Sequence, residues 1–193
     1  MKKIYVLLAT VLVLFASCSK DSGTVTSESI FPNYSDVVIP VNIAPLNFMV
    51  SGAEKVKVNI SGTSEYSFSN RGETVKFPLK RWKQMLNVEK GNSLKVSVFV
   101  NGENSPMAQF NWTVSADSID KYLSYRLIEP AYEVWSRIEI QERNLENFST
   151  RLLGDNRTAD KCCINCHTTN NKGTSFMHLR GSNGGTILNR NGV

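Results

Sequence analysis

The chain has 193 residues, with 22 Lys and Arg against 17 Asp and Glu, a formal net charge of +5. The basic excess is modest and forms no long run, which makes nucleic acid a poor candidate partner. Once the N-terminal segment is set aside, the length allows one hydrophobic core or two small ones.

Met1, Lys2 and Lys3 form a short positive region, followed by an almost unbroken apolar run from Ile4 to Leu14. A bilayer span takes about 20 residues, so this run reads as the hydrophobic region of a signal peptide covering residues 1–17. It ends in Phe15-Ala16-Ser17-Cys18, which resembles the lipobox of bacterial lipoproteins although Phe15 replaces the usual Leu. Cleavage before Cys18 and acylation of its thiol would anchor the protein to a membrane of the cell envelope, each buried methylene adding about 0.8 kcal/mol. The bland alternative is a cleaved secretory signal with an incidental cysteine. Ser19 to Ser29 is rich in Ser, Thr and Gly, so residues 18–35 are expected to be the lipidated N-terminus and a flexible tether. Ser19-Lys20-Asp21 loosely resembles a surface-export signal of some Bacteroidetes lipoproteins.

From Val37 to Val114 the pattern is β. Val56, Val58 and Ile60 alternate with Lys55, Lys57 and Asn59, and Leu94, Val96, Val98 and Val100 repeat the two-residue period. Phe110, Trp112 and Val114 supply a further strand, and Asn101-Gly102 is a turn signal between runs. Strands at this spacing predict a β-sandwich of immunoglobulin or fibronectin type over residues 36–116, with one short helical turn at Arg81–Asn87. Further strands are expected over Tyr122–Ile128, ended by Glu129-Pro130, and Ile138–Leu145. Glu129, Glu133, Glu139 and Glu142 have no spacing that requires an acid–base pair, and solvated faces account for them.

Four cysteines are present. With Cys18 assigned to lipid, Cys162, Cys163 and Cys166 remain as an odd, clustered set, which is no disulfide framework. Cys163-Ile164-Asn165-Cys166-His167 is the attachment pattern of a c-type haem. On a helical turn, the two thiols each add across one vinyl group and the adjacent histidine faces the iron. The expected site is one covalent haem c held by Cys163 and Cys166, with His167 as the proximal iron ligand. Rival readings are a zinc site from Cys163, Cys166, His167 and His178 and a redox disulfide between Cys163 and Cys166. Cys162 is a bystander thiol, or an alternative first cysteine of a longer motif. Arg157, Lys161, Lys172 and Arg180 are candidate propionate partners or plain surface charge.

Leu123-Ser124-Tyr125-Arg126-Leu127-Ile128-Glu129-Pro130, Gln141 to Phe148, the haem motif, His178-Leu179-Arg180-Gly181 and Gly184-Gly185-Thr186 resemble a family of Bacteroidetes lipoproteins. Ile43 to Phe48 resembles the start of their N-terminal β domain. In that family a cytochrome c-like haem segment precedes a six-bladed β-propeller related to the periplasmic translocation propellers. The resemblance covers most of the mature chain and implies that residues 117–193 form a small haem-binding loop region at the start of a propeller cut short at Val193. It also favours His178 over Met177 as the distal iron ligand, because the family has a histidine before the Arg-Gly pair.

The function expected is a membrane-anchored haem protein of mainly β fold, transferring electrons to an unknown redox partner or sensing redox state. The alternative is a non-catalytic binding or scaffold lipoprotein that presents a β-sandwich surface and carries a vestigial Cys/His cluster. An enzyme such as a peroxidase needs an open iron position.

Overall fold

In the computed structural model the described residues are 29–128, 138–157, 163–170, 173–182 and 184–190. The signal segment, Cys18, Glu129, Glu133, Lys161, Cys162 and Lys172 lie outside them. The architecture is mainly β. In chain order come β1 (Ile30–Phe31), β2 (Val37–Ile39), β3 (Phe48–Val50), β4 (Lys55–Ser61), β5 (Glu65–Arg71) and β6 (Thr74–Val75). A helix α1 (Leu79–Val88) then leads to β7 (Ser93–Val100) and β8 (Ala108–Val114). The remaining strands are β9 (Tyr122–Leu127), β10 (Glu139–Asn144), β11 (Thr150–Asp155), β12 (Cys163–Thr169), β13 (Thr174–Arg180) and β14 (Gly185–Arg190).

The alternating runs become strands because one face of each meets a core. Val56, Val58 and Ile60 on β4 and Leu94, Val96 and Val98 on β7 are fully buried, while Lys55, Lys57 and Lys95 between them are exposed. These strands lie in a five-stranded sheet of order β2-β8-β7-β4-β5, and β2 joins it in parallel beside β8. A three-stranded sheet, β1-β3-β6, contributes Phe48, Val50 and Val75 to the same core. The chain crosses from one sheet to the other between β1 and β2, where the Phe31–Pro32 peptide is cis. Ile30, inside the stretch expected to be tether, is buried in this core and paired with Val50. Asn101 and Gly102 both take positive φ in the turn after β7, as the dipeptide predicts.

Helix α1 is longer than the single turn expected. Pro78 precedes it, and Trp82, Met85 and Leu86 recur at helical spacing to form its buried stripe. Trp82 meets Trp112 edge-on, with ring centroids 5.6 Å apart. Both indoles are satisfied: Trp82 Nε1–H donates to the Ile43 carbonyl at 3.0 Å and Trp112 Nε1–H to the Tyr34 carbonyl at 2.8 Å.

Glu89, just past α1, is a fully buried carboxylate. Its oxygens accept from the Thr63 and Ser64 backbone N–H groups at 3.0 and 3.1 Å and from the Tyr66 hydroxyl at 3.1 Å. Burial pushes its pKa up, but these hydrogen bonds outweigh burial and hold it below the ordinary value of 4.5. The helix end is thereby fastened to the β4–β5 turn. Gly62 makes the approach possible, since a Cβ there would sit 2.5 Å from Leu94 Cδ2 and 2.6 Å from Glu89 Oε2.

Residues 117–128 and 138–157 are tied to this body. Asn42 exchanges two hydrogen bonds with the Ile119 backbone, at 2.9 and 3.0 Å, and Ala44 N–H donates to Leu145 O at 2.7 Å. Lys83 on α1 pairs with Glu146 at 2.9 Å. Where a haem-binding loop region was expected, the described residues from 122 to 190 form two three-stranded antiparallel sheets, β9-β10-β11 and β12-β13-β14. Ile138, Ile140 and Ile164 form the small core between them.

Glu89→Ala leaves two backbone donors and a phenol without their acceptor, so it should cost about 2–3 kcal/mol of stability in urea unfolding. The pH dependence has a definite sign. A folded-state pKa held below 4.5 stabilises the fold at higher pH, and that stability is lost as pH falls below 4.5 through the folded value. Glu89→Gln should therefore flatten the acid limb of the stability profile, and an unchanged limb would assign it to other carboxylates.

Candidate functional site

The attachment motif lies on a strand, not on a helical turn. Ile164, Thr168 and Thr169 suit extended backbone, and β13 is in place to pair with it. A tight connection closes the hairpin: Asn170 N–H donates to Thr174 O at 2.9 Å and Asn170 Oδ1 accepts from Thr174 N–H at 2.9 Å. Gly173 takes φ +76°, a conformation that costs other residues a steric penalty.

Within a regular strand, residues three apart point to opposite faces. The register here is not regular. Cys163 pairs with Arg180 and Cys166 with His178, so three steps on β12 run against two on β13, a β-bulge of one extra residue. Since Arg180 and His178 are two apart on β13, they share a face; Cys166 stands on it beside His178, while Cys163, at the bulge, packs against the Ile138–Ile140–Ile164 core. Two residues of strand rise put the thiol-bearing Cα atoms roughly 6.7 Å apart. Cys163 is half-buried and Cys166 exposed, and both are free thiols.

The same register separates the histidines. His167 pairs with Met177, and Cys166 with His178. Neighbouring residues on a strand alternate, so His167 and Met177 share the face opposite to Cys166 and His178. His167 Nδ1 is buried without a hydrogen-bond partner, and its side chain borders a cavity of about 290 Å³ lined by Ile140, Ile164, Met177 and Leu179. That volume is near the lower limit of about 300–1,000 Å³ for ligand pockets. His178 Nδ1 shares a hydrogen bond with Thr186 Oγ1 at 3.1 Å, on the next strand of the same row.

The structure therefore brings Cys166 and His178 to one face and His167 and Met177 to the other, with Cys163 half-buried against the small core. It does not bring His167 and His178 to two sides of one iron. Nor does it gather the zinc set: among the described residues no group of three or more His, Cys, Asp or Glu side chains is placed to hold a metal ion. For a c-type haem the fit lies in two free thiols at attachment spacing, with His167 next in the chain and His178 across the strand from Cys166. Of the cationic candidates, Arg157 is engaged with Asp155 at 3.2 Å, whereas Arg180 is exposed in the row of Cys163. Glu139 and Glu142 act within β-sheet hydrogen bonding, Glu142 as the partner of Arg151 at 2.9 Å and Glu139 accepting from Gln141 at 2.6 Å. Sequence reasoning identified the cysteines, both histidines, Met177 and the cationic candidates but missed Thr186 as the partner of His178, because nothing short of the β13–β14 register reveals it.

No protein family, curated protein or solved structure matches this chain. Among the described residues no helix is long and apolar enough to cross a membrane.

The unequal exposure of the thiols predicts their order of modification. With a neutral alkylating reagent, Cys166 should be labelled several-fold faster than Cys163 in the folded protein, and the difference should vanish in denaturant. Peptide mapping by mass spectrometry checks this, and equal folded-state rates would contradict the burial of Cys163 against the small core.

Proposed function

We propose that this chain is a lipid-anchored protein of the cell envelope that carries a covalent c-type haem on Cys163 and Cys166 and serves electron transfer or redox sensing. The observation that carries the reading is the pair of free thiols at attachment spacing, both on β12 and followed directly by His167. The N-terminal segment supports export, and c-type attachment takes place outside the cytoplasm. A bound haem supplies one-electron chemistry, while the chain holds and orients it. In this reading the N-terminal sheets form an immunoglobulin-like sandwich that spaces the site from the anchor at Cys18. The Glu146–Lys83 ion pair and the Asn42 bonds fix the site sheets to that body. The redox partner is a second protein, met at the exposed thiol face.

A redox disulfide is the second reading, and one observation favours it. The spacing of roughly 6.7 Å inferred for the two Cα atoms is at the upper end of the range of about 4.4–6.8 Å seen in disulfides.

Intact-mass analysis separates the readings. Protein produced with the haem-attachment machinery should gain one haem mass, lost in Cys166→Ser; a loss of two hydrogens instead would establish the disulfide. A mature protein with neither change would leave the scaffold reading. For the anchor, labelled palmitate should enter the wild type and not Cys18→Ser, and equal labelling of the variant would refute lipid attachment there.

A further inference from the structure

The outer face of the five-stranded sheet is polar by alternation: Lys57, Asn59, Ser67 and Ser69 stand on it, while Val58, Ile60 and Phe68 enter the core. Phe99 breaks that pattern. It is the direct partner of Lys57 across β4 and β7, so it shares the outer face, and it is half-buried there. It borders a groove of about 370 Å³ together with Lys55, Lys57, Asn59, Ser69 and loop residues 102–104. That volume is within the range of about 300–1,000 Å³ found for ligand sites. We propose that this groove binds a sugar chain carrying acidic groups, carboxylate or sulfate, an interaction independent of the haem reading.

Charge selects the acidic groups. Lys55 faces Arg71 directly across β4 and β5, and Lys57 follows two residues on, on the same face. All three side chains are exposed. Among the described residues the ion pairs are Lys83–Glu146, Arg151–Glu142 and Arg157–Asp155, none of them on this face. Like charges placed opposite one another destabilise a strand pair, and an anion set between them reverses the sign of that interaction. Glu103 in the loop wall is the acidic side chain of the groove, which leaves a positive excess toward β5.

Shape and hydrogen bonding select the sugar. Phe99 gives the groove an aromatic wall on which the C–H face of a pyranose ring can pack, a feature that neither an inorganic anion nor a layer of lipid headgroups requires. Asn59 Oδ1 accepts from Ser67 Oγ at 2.9 Å, which fixes the amide and leaves its Nδ2 to donate to a hydroxyl or acid oxygen. The Ser69 hydroxyl stands in the next row, beside Lys57. The loop wall is held before any ligand arrives. Asn101 N–H donates to Lys55 O at 2.8 Å, and Asn101 Oδ1 accepts from the Glu54 and Lys55 N–H groups at 2.9 and 3.2 Å. A wall fixed in this way lowers the ordering cost of binding.

The test is calorimetric titration of the full chain with oligosaccharides of galacturonic acid, with chondroitin sulfate, and with dextran as the neutral control. At least one acidic sugar should bind and dextran should not, and the tighter acidic sugar identifies the acidic group. Lys57→Gln should weaken binding about tenfold, the loss of one charge-assisted contact. Phe99→Leu, which keeps apolar volume but removes the ring, should weaken it several-fold; if that variant fails to fold, Phe99→Met serves the same purpose. Lys95→Gln, an exposed cation two rows along the same face, should leave the affinity unchanged. Failure of both acidic sugars to bind, or equal binding of dextran, overturns the inference. Wild-type affinity in the Phe99 variants reduces the groove to a plain basic patch and also overturns it. Polyglutamate or phosphatidylglycerol vesicles bound as tightly as the acidic sugars, with the same loss in Lys57→Gln, would assign the face to an acidic protein or a membrane instead.

Discussion

Between Cys163 and Cys166 the chain takes one residue more than the strand it pairs with, and the chemistry available to the site follows from that extra residue. Without the bulge, the Cys-x-x-Cys spacing in an extended strand would direct one thiol to each side of the sheet. With it, Ile164 enters the small core beside Ile138 and Ile140, Cys163 packs against that core, and Cys166 stands exposed across from His178. The burial of Ile164 and the pairing of Cys166 with His178 are thus two consequences of the same irregularity. Bulges recur where a side chain has to be re-aimed.

The hairpin that carries the bulge is held mainly by its own backbone ladder and by few buried side chains. The N-terminal body differs. There the Trp82–Trp112 contact, the aliphatic faces of β4 and β7 and the buried, hydrogen-bonded Glu89 carboxylate form one core. Asn42, Ala44 and Lys83 extend that rigidity to the β9-β10-β11 sheet, against which β12 packs. Local opening is therefore cheapest at the β12–β13 hairpin, where few apolar contacts are broken.

The face occupied by His167 and Met177 has its own chemistry. A buried imidazole nitrogen without a partner is costly in a folded protein, and His167 Nδ1 is in that position beside a cavity lined by apolar residues such as Ile140 and Met177 and polar ones such as Ser124 and Asn189. The sheet therefore carries two thioether- or thiol-bearing histidine pairs, Met177 with His167 and Cys166 with His178, on opposite sides. Linear spacing makes both histidines neighbours of the motif, and pairing divides them.

Much of the N-terminal body was legible in the sequence because its strands bury one face only. Val56-Val58-Ile60 and Leu94-Val96-Val98 alternate with lysines and serines, and Asn101-Gly102 marks its turn by demanding positive φ. The short pieces β1, β3 and β6 were not separately legible, since two or three residues carry no period, and Ile30 sits in a segment whose composition suggests a tether. The residues of the site, Cys163, Cys166, His167, Met177 and His178, were determined by the sequence as chemical types at a fixed spacing. Which of them meet was decided only by tertiary structure. Grouping depends on the β12–β13 register and one extra residue within it, and register is set by which side chains fill the core, Ile164 among them, not by the spacing of the motif itself.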